Sequence, residues 1–481
     1  MTEPIAFRGG AAGAAAPFLL FLAGVTWLAL SGAPDERGFW PVLLAALTLG
    51  LLLVRDRAQY AEVVLAGMSQ PIVMVMIMAW LLSGVLGAIL SASGFVQALV
   101  WLTREAGVHG AGYVAAAFLA CALISTATGT SFGTLLVAGP LLYPVSGAVG
   151  ASPPVLAGAI LAGATFGDSI SPISDTTIAS SGTQHADIGG TVRSRLKYVI
   201  PAGLVAMAAS ALLDTVTAAP ATSAGGVASG SPRGLLMLAV PVLVIALLAA
   251  RRHLLEGLLF GILFAALLGL VAGLLEPHQL LFVDREAFGA KGIIVDGMNR
   301  GVGASILTIM LVGLVAGLQA TGLVDRLVRR LAQSGGSARS TELSIFAAVS
   351  MAVLLTTHSI VAMLAIGDVT RRAGSVAGLS AYRRANLLDM TVCTYPFLLP
   401  YCIPTILAAS TTSSGVPFGV ARLSPAAVGL FNTYSWALLA TVIVAIVTGY
   451  GRGEGLRVRT GAGGASAAER STEEIPVTPP T

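Results

Sequence analysis

Between Val155 and Ser181 the chain carries no basic residue, and apolar stretches flank the segment GATFGDSISPISDTT, residues 163–177, on both sides. That segment holds two aspartates, Asp168 and Asp175, a proline between them and a cluster of hydroxyls. An aspartate at membrane depth costs several kcal/mol unless something compensates it, so such groups mark ion or proton pathways. Pro172 interrupts the helix and frees backbone carbonyls. Carboxylates and hydroxyls at the break of a helix are how secondary transporters build a cation site. At a membrane surface the same residues would make turns and helix caps, but the apolar flanks argue for burial.

Composition makes the membrane setting necessary. Of 481 residues, 56% are hydrophobic and 10% charged, against about 25% charged in soluble domains. Such a chain cannot clothe itself in polar surface. The alternation of a transmembrane barrel is absent, so the fold class is an all-α polytopic membrane protein. Apolar spans read at 17–31, 38–54, 64–90, 155–190 (broken), 199–216, 234–250, 254–275, 300–320, 385–411 (broken) and 425–448. Segments 110–145 and 342–370 are interrupted near their middles, as re-entrant hairpins or pairs of tilted spans. The chain is therefore expected to have about ten full spans plus two re-entrant hairpins, or up to 14 spans. The first apolar segment lacks a signal-peptide pattern and reads as a retained span.

Basic residues set the orientation. Arg55 and Arg57, then Arg193, Arg195 and Lys197, then Arg251 and Arg252 fall on one side of this span list, as do Arg326, Arg329 and Arg330, and Arg371, Arg372, Arg383 and Arg384. That side is expected to be the cytoplasmic face of the plasma membrane, with both termini on it and the loops 217–233 and 276–299 outside. The polar tail 451–481 reads as disordered. The net charge of +4 belongs to this topology, not to a nucleic-acid surface. Cys121, Cys393 and Cys402 lie in apolar stretches without metal-ligand spacing and read as packing residues.

The chain repeats itself at a constant offset. Gly94-Phe95-Val96 maps to Gly322-Leu323-Val324, and the same interval takes Ser131 to Ser359, Gly139-Pro140 to Gly367-Asp368 and Gly150 to Gly378. With a slightly longer interval, Ala179-Ser180 maps to Ala409-Ser410. By the charge rule 155–190 runs inward while its partner 385–411 runs outward. This is an inverted repeat, expected over residues 1–222 and 223–450, each half with one broken helix and one hairpin.

The candidate cation ligands are Asp168, Ser169, Ser171, Ser174, Asp175, Thr176 and Thr177, because Na⁺ prefers carboxylate, hydroxyl and carbonyl oxygens. TGTSFGT, 128–134, reads as a hairpin tip presenting Thr128, Thr130 and Ser131, or as a small-residue packing seam. His358 and Ser359 form the second tip, the histidine as a packing group or proton relay. Asp389 is the only acid of LLDMTVCTYPFLLPYCIPT, 387–405, where Pro396, Pro400 and Pro404 break the helix. It either pairs with Arg383 or Arg384 near the cytoplasmic face or is a third core carboxylate. Asp368 reads as a surface partner of Arg371 and Arg372, and His185 and Asp187 as water-boundary residues. No phosphate-binding loop, nucleophile motif or metalloenzyme motif is present, so an ATP motor, an enzyme and a cofactor are not expected.

GTSFGT followed at some distance by GDSISPISDTT resembles the NhaC family of Na⁺/H⁺ antiporters, whose hallmark is a G-D-x-x-S-P-x-S-D-T-T segment. Asp389, Phe431-Asn432 and Tyr434 are also similar to that family, while Leu399-Pro400-Tyr401-Cys402 departs from its Ile-Pro-Trp-Asn-like tract. The resemblance covers most of residues 60–450. It implies cation-coupled antiport in which aspartates bind Na⁺ or protons in alternation. The alternative it leaves open is Na⁺- or H⁺-coupled exchange of a small organic acid or amino acid. The expected partners are Na⁺, H⁺ and the bilayer and, as alternatives, an organic solute and a second copy of the chain in a homodimer.

Overall fold

The computed structural model describes residues 4–31, 36–217, 232–285, 289–323, 326, 336–357 and 359–452. His358, Val324, Arg329, Arg330, nearly all of the loop 217–233 and the tail beyond 452 lie outside the described residues. Among those described, ten helices are long and apolar enough to cross a membrane, and two shorter apolar helices, Phe39–Leu53 and Thr433–Thr448, accompany them. The protein is an all-α, multi-pass membrane protein. The segment read as the loop 276–299 contains a small antiparallel ribbon, Phe282–Asp284 against Gly289–Lys291.

Several spans differ from the sequence reading for local reasons. The stretch 64–90 is two helices, Arg57–Met68 and Pro71–Ala92, because Pro71 has no N–H to continue the first and sits at the first turn of the second. The stretch 425–448 is also split, and the Asn432 side chain accepts a hydrogen bond from the Ser435 N–H to start the second helix. The span read from 199 begins at Ile188, so Arg193, Arg195 and Lys197 lie on a helix and not in a loop. Arg383 and Arg384 are likewise helical and buried, within Ala381–Val392.

Both interrupted segments are helical hairpins with buried turns. In the first, Gly110–Thr128 ends at Gly129, whose φ of 70° is left-handed. Thr130 then caps Ser131–Leu142, its hydroxyl accepting from the Gly133 N–H. In the second, Ala338–Thr356 ends at Thr357, left-handed at φ 56°, before Ser359–Val376. The step from Gly129 to Thr357 equals the repeat interval of the sequence, as do the steps between the left-handed pairs Gly94 with Gly322 and Gly150 with Gly378. Helix starts keep the same interval: Gly110 and Ala338, Pro153 and Ala381, Asp175 and Ile403.

Each hairpin lies beside a broken helix. The first broken helix consists of Pro153–Ile170 and Asp175–Gln184, the second of Ala381–Val392 and Ile403–Thr411. The arm Gly110–Thr128 runs parallel to Pro153–Ile170 at backbone contact distance. A Cβ on Gly163 would fall 2.2 Å from the Phe118 carbonyl oxygen, and one on Gly167 2.2 Å from that of Ala122. The two broken helices run antiparallel to each other, since Thr177 and Ser180 meet Asp389, Gln184 meets Arg384 and Gly190 meets Tyr382. Gly139 packs on Thr411, and Gly367 packs on Thr183. Those two contacts are the same contact carried over by the repeat interval with the halves exchanged.

The close approach makes a test of the packing. Gly163→Ala or Gly167→Ala forces the first hairpin off the broken helix and is expected to cost about 1–3 kcal/mol. Gly182→Ala, with nothing within 4 Å of the added carbon, serves as the control. Thermal unfolding followed by size exclusion should show the first two variants clearly below the third; equal midpoints would refute the contact.

Candidate functional site

The first break is made by residues 171–174. Pro172 cannot extend the helix, Ser171 takes an extended conformation, and Ser174 starts the next half-helix. Polar groups freed there must find partners inside the protein. The Ser171 hydroxyl donates to the Thr126 carbonyl at 2.9 Å, and the Ile173 backbone seats directly on Gly129, where a Cβ would lie 2.7 Å from its carbonyl oxygen. The second break is closed in a similar way. The Ser359 hydroxyl, at the start of the second hairpin's return arm, donates to the Val392 carbonyl at 3.3 Å. Hairpin tips and helix breaks thus converge.

Between them lies a small cavity of about 50 Å³. Asp168, Ser174, Asp175 and Thr176 reach it from the first break, Thr130 and Ser131 from the first tip, and Thr357 and Ser359 from the second. Pro396, Phe397, Ile403 and Pro404 of the second break close it on an apolar side. Asp168 is 6% exposed, and one of its carboxylate oxygens is buried with no hydrogen-bond partner. Ser131 and Ser174 stand beside it, and the charges that act on it are the carboxylates of Asp389 and Asp175. An uncompensated carboxylate in such a place is costly, and its oxygens have the hardness a Na⁺ ion seeks.

Asp175 opens its half-helix, where a negative charge suits the dipole. It lines the 50 Å³ cavity and also a larger vestibule of about 440 Å³ that contains Thr128, Gly129 and Thr130 at one end and Arg251, Arg252 and His253 at the other. The Thr128 hydroxyl is buried without a partner. The two cavities share Gly129, Thr130, Phe132 and Asp175 in their linings. Trp80, Leu136 and Leu407, each 2–3% exposed, form part of the vestibule wall.

Not every candidate ligand faces the cavity. Ser169 donates to the Thr165 carbonyl and Ser171 to Thr126, so both serve the backbone. Thr177 donates to Asp389 at 3.2 Å and accepts from Arg195 at 2.9 Å. Asp389 pairs with neither Arg383 nor Arg384. It forms an ion pair with Arg195 and also accepts from Ser180 and the Cys393 thiol. Arg195 is 1% exposed, and its guanidinium further donates to the Ser169 carbonyl and the Asn386 side chain. Arg383 instead binds Glu342 at 2.7 Å, with Tyr198 and the Ala445 carbonyl as further acceptors. Asp368 does pair with Arg371 and Arg372 at the surface.

A buried arginine was not expected from the sequence. The signal was a face of Thr191, Arg195, Tyr198 and Ala202, recurring at helical spacing and all buried. Asp214 was also missed; it accepts from the Ser152 N–H at 2.7 Å and holds the start of the first broken helix.

The Arg195–Asp389 pair predicts a distinct stability pattern. Arg195→Gln leaves a buried carboxylate unpaired and is expected to cost about 3–5 kcal/mol. The double variant Arg195→Gln with Asp389→Asn removes both charges and should recover much of that loss. Thermal midpoints of the two purified variants check this; a double variant no more stable than Arg195→Gln refutes the pairing.

Comparison with known proteins fits this geometry. The Na⁺/H⁺ antiporter family matches residues 21–217, which contain the first hairpin and the first broken helix. A malate-2H⁺/Na⁺-lactate antiporter of Bacillus subtilis is 32% identical over 183 residues, covering 38% of each chain. The Na⁺/H⁺ antiporter NhaC of Alkalihalophilus pseudofirmus is 26% identical over 275 residues, covering 53% of this chain and 56% of its own. An arginine/ornithine antiporter of Halobacterium salinarum is 36% identical over 101 residues, 21% of each chain. The matches thus span about half or less of these relatives. Residues 21–217 thus resemble the Na⁺/H⁺ antiporter family, and parts of the chain are similar to NhaC-type antiporters.

Proposed function

We propose that the protein exchanges Na⁺ for protons across the plasma membrane, with both termini in the cytoplasm, and that Asp168 and Asp175 hold either Na⁺ or protons. One observation carries the reading: a buried Asp168 oxygen without a hydrogen-bond partner, in a cavity that no basic side chain among the described residues lines. A carboxylate that releases its cation inside a membrane must be neutralised again, and a proton is the smallest group that does so. Ser131, Ser174 and Thr176 would replace part of the water shell of Na⁺, and the vestibule past Asp175 would be its entrance from the cytoplasm.

Alternating access then follows from the duplicated plan. Residues 1–222 and 223–450 act as inverted halves, each with a hairpin tip against a helix break. Equivalent contacts on the two faces, Gly139 with Thr411 and Gly367 with Thr183, close and open in turn as one half rocks against the other. A relative named for malate, lactate, Na⁺ and protons supports a second reading, in which a small organic acid is exchanged together with the ions.

The test is proton movement in liposomes that carry a pH dye, started by adding NaCl. Asp168→Asn and Asp175→Asn should each lower the initial rate at least about tenfold, the equivalent of 1.4 kcal/mol of lost ion binding. Undiminished exchange by a well-folded Asp168→Asn protein would overturn the assignment. Competition also fixes a sign. While the site is largely protonated, each unit rise in pH should lower the apparent KM for Na⁺ by about tenfold for each proton displaced, up to about a hundredfold for two, levelling off once the protons are gone. A KM for Na⁺ that ignores pH is incompatible with shared carboxylates.

A further inference from the structure

The helix Ile293–Gln319 carries one arginine, Arg300, near its start. Its Nη1 atom is buried and has no hydrogen-bond partner. Among the described residues its side chain makes no hydrogen bond and no ion pair. Asp296, one turn earlier, acts on it only through space. Arg300 reaches instead into a pocket of about 20 Å³ with the hydroxyls of Ser83, Ser410, Thr411, Ser413 and Ser414, against Trp80 and Pro140. A guanidinium cannot lose its proton, so burying one of its N–H groups unpaired has a lasting cost.

The pocket is joined to the ion site by two helices. Ser131–Leu142 begins at the ion cavity with Ser131 and passes Pro140 at the arginine pocket. Ile403–Thr411 begins at the ion cavity with Ile403 and Pro404 and ends at Ser410 and Thr411. At 1.5 Å per residue the two places are roughly 14 Å apart along the first helix and roughly 10 Å along the second. Trp80 lines both this pocket and the vestibule that reaches Asp175 and so separates them. The arginine pocket is therefore on the closed side of the ion site. In its present size it has room for about one water molecule.

We propose that Arg300, with the hydroxyls of Ser410, Thr411, Ser413 and Ser414, is a recognition subsite for the carboxylate of a small organic acid, entered from the side opposite the vestibule when that side opens. The inference rests on the antiport reading and names the substrate class of its second form. Guanidinium and carboxylate match as two parallel hydrogen bonds. The four hydroxyls now donate to carbonyls one turn earlier in their own helices, and a rotation of each turns its donor toward an anion. The Trp80 and Pro140 wall suits a short carbon chain. A carboxylate entering here would change the same two helices whose first turns meet the cation, which gives the two cargoes a common mechanical link.

The experiment measures ligand stabilisation and binding on the full chain in lipid nanodiscs with Na⁺ present. The probes are lactate, malate and acetate, with chloride, inorganic phosphate and a small amine as comparisons. Wild-type protein should be stabilised saturably by the organic acids and not by the amine. Arg300→Gln should weaken that binding at least about tenfold, and Arg300→Lys, which keeps the charge without the fork, should fall between. The fold of each variant is checked by its unliganded melting and by its elution volume. Ser413→Ala and Ser414→Ala, which remove hydroxyls at the pocket edge, provide a second route, each lowering affinity by several-fold. Organic-acid binding retained in Arg300→Gln, no binding in wild type, or chloride or phosphate matching the organic acids would each overturn the subsite. The NaCl-driven proton assay on wild type separates the two claims. Proton movement without organic-acid binding removes only the subsite, and organic-acid binding without proton movement removes only the Na⁺/H⁺ reading.

Discussion

A helix broken at membrane depth must satisfy its loose backbone groups without water, and the core of this protein is arranged around that constraint. Pro172 creates the break; the first hairpin answers it. Gly129 lies against Ile173 because any side chain there would collide with the backbone of the break. Ser171 ties the break to the Thr126 carbonyl. Gly163 and Gly167 allow the arm to come close enough for this to happen. With these groups engaged, one oxygen of Asp168 is still left without a partner.

The parts of this arrangement that depend on local chemistry were legible in the sequence. Pro172 marks a break wherever it falls in an apolar run, and Gly129 marks a left-handed turn. The repeat interval was visible as scattered similarities, and it recurs in the left-handed positions and helix starts. What could not be read was which hydroxyl points where. Ser169, Ser171 and Thr177 lie within a few residues of Asp168 and Asp175, yet the first two bond backbone carbonyls and the third turns to Asp389. A broken helix has no fixed period, so spacing alone cannot assign its faces.

The arginines were misread for a different reason. Sequence rules place basic residues at the cytoplasmic edge because a lone cation is costly in lipid. Arg195 and Arg383 escape that rule by meeting Asp389 and Glu342 from distant parts of the chain. Each pair joins different helices, and only the folded arrangement reveals it. Arg195 joins the two broken helices: it donates to the end of the first and pairs with the second.

That cross-link has a consequence for energetics. With Arg195 bound to it, Asp389 is already neutralised by a fixed charge, so under the proposed antiport Asp168 and Asp175 are the loadable carboxylates of the cavity. Two protons against one Na⁺ is then the largest exchange they can support, a net movement of one elementary charge per cycle. A membrane voltage of 100 mV performs about 2.3 kcal/mol of work on one charge, enough to hold roughly a fiftyfold ion gradient. On that reading the Arg195–Asp389 pair sets a ceiling on how far voltage can drive the exchange, and a measured reversal potential demanding more than one charge per Na⁺ would mean that a third carboxylate takes part.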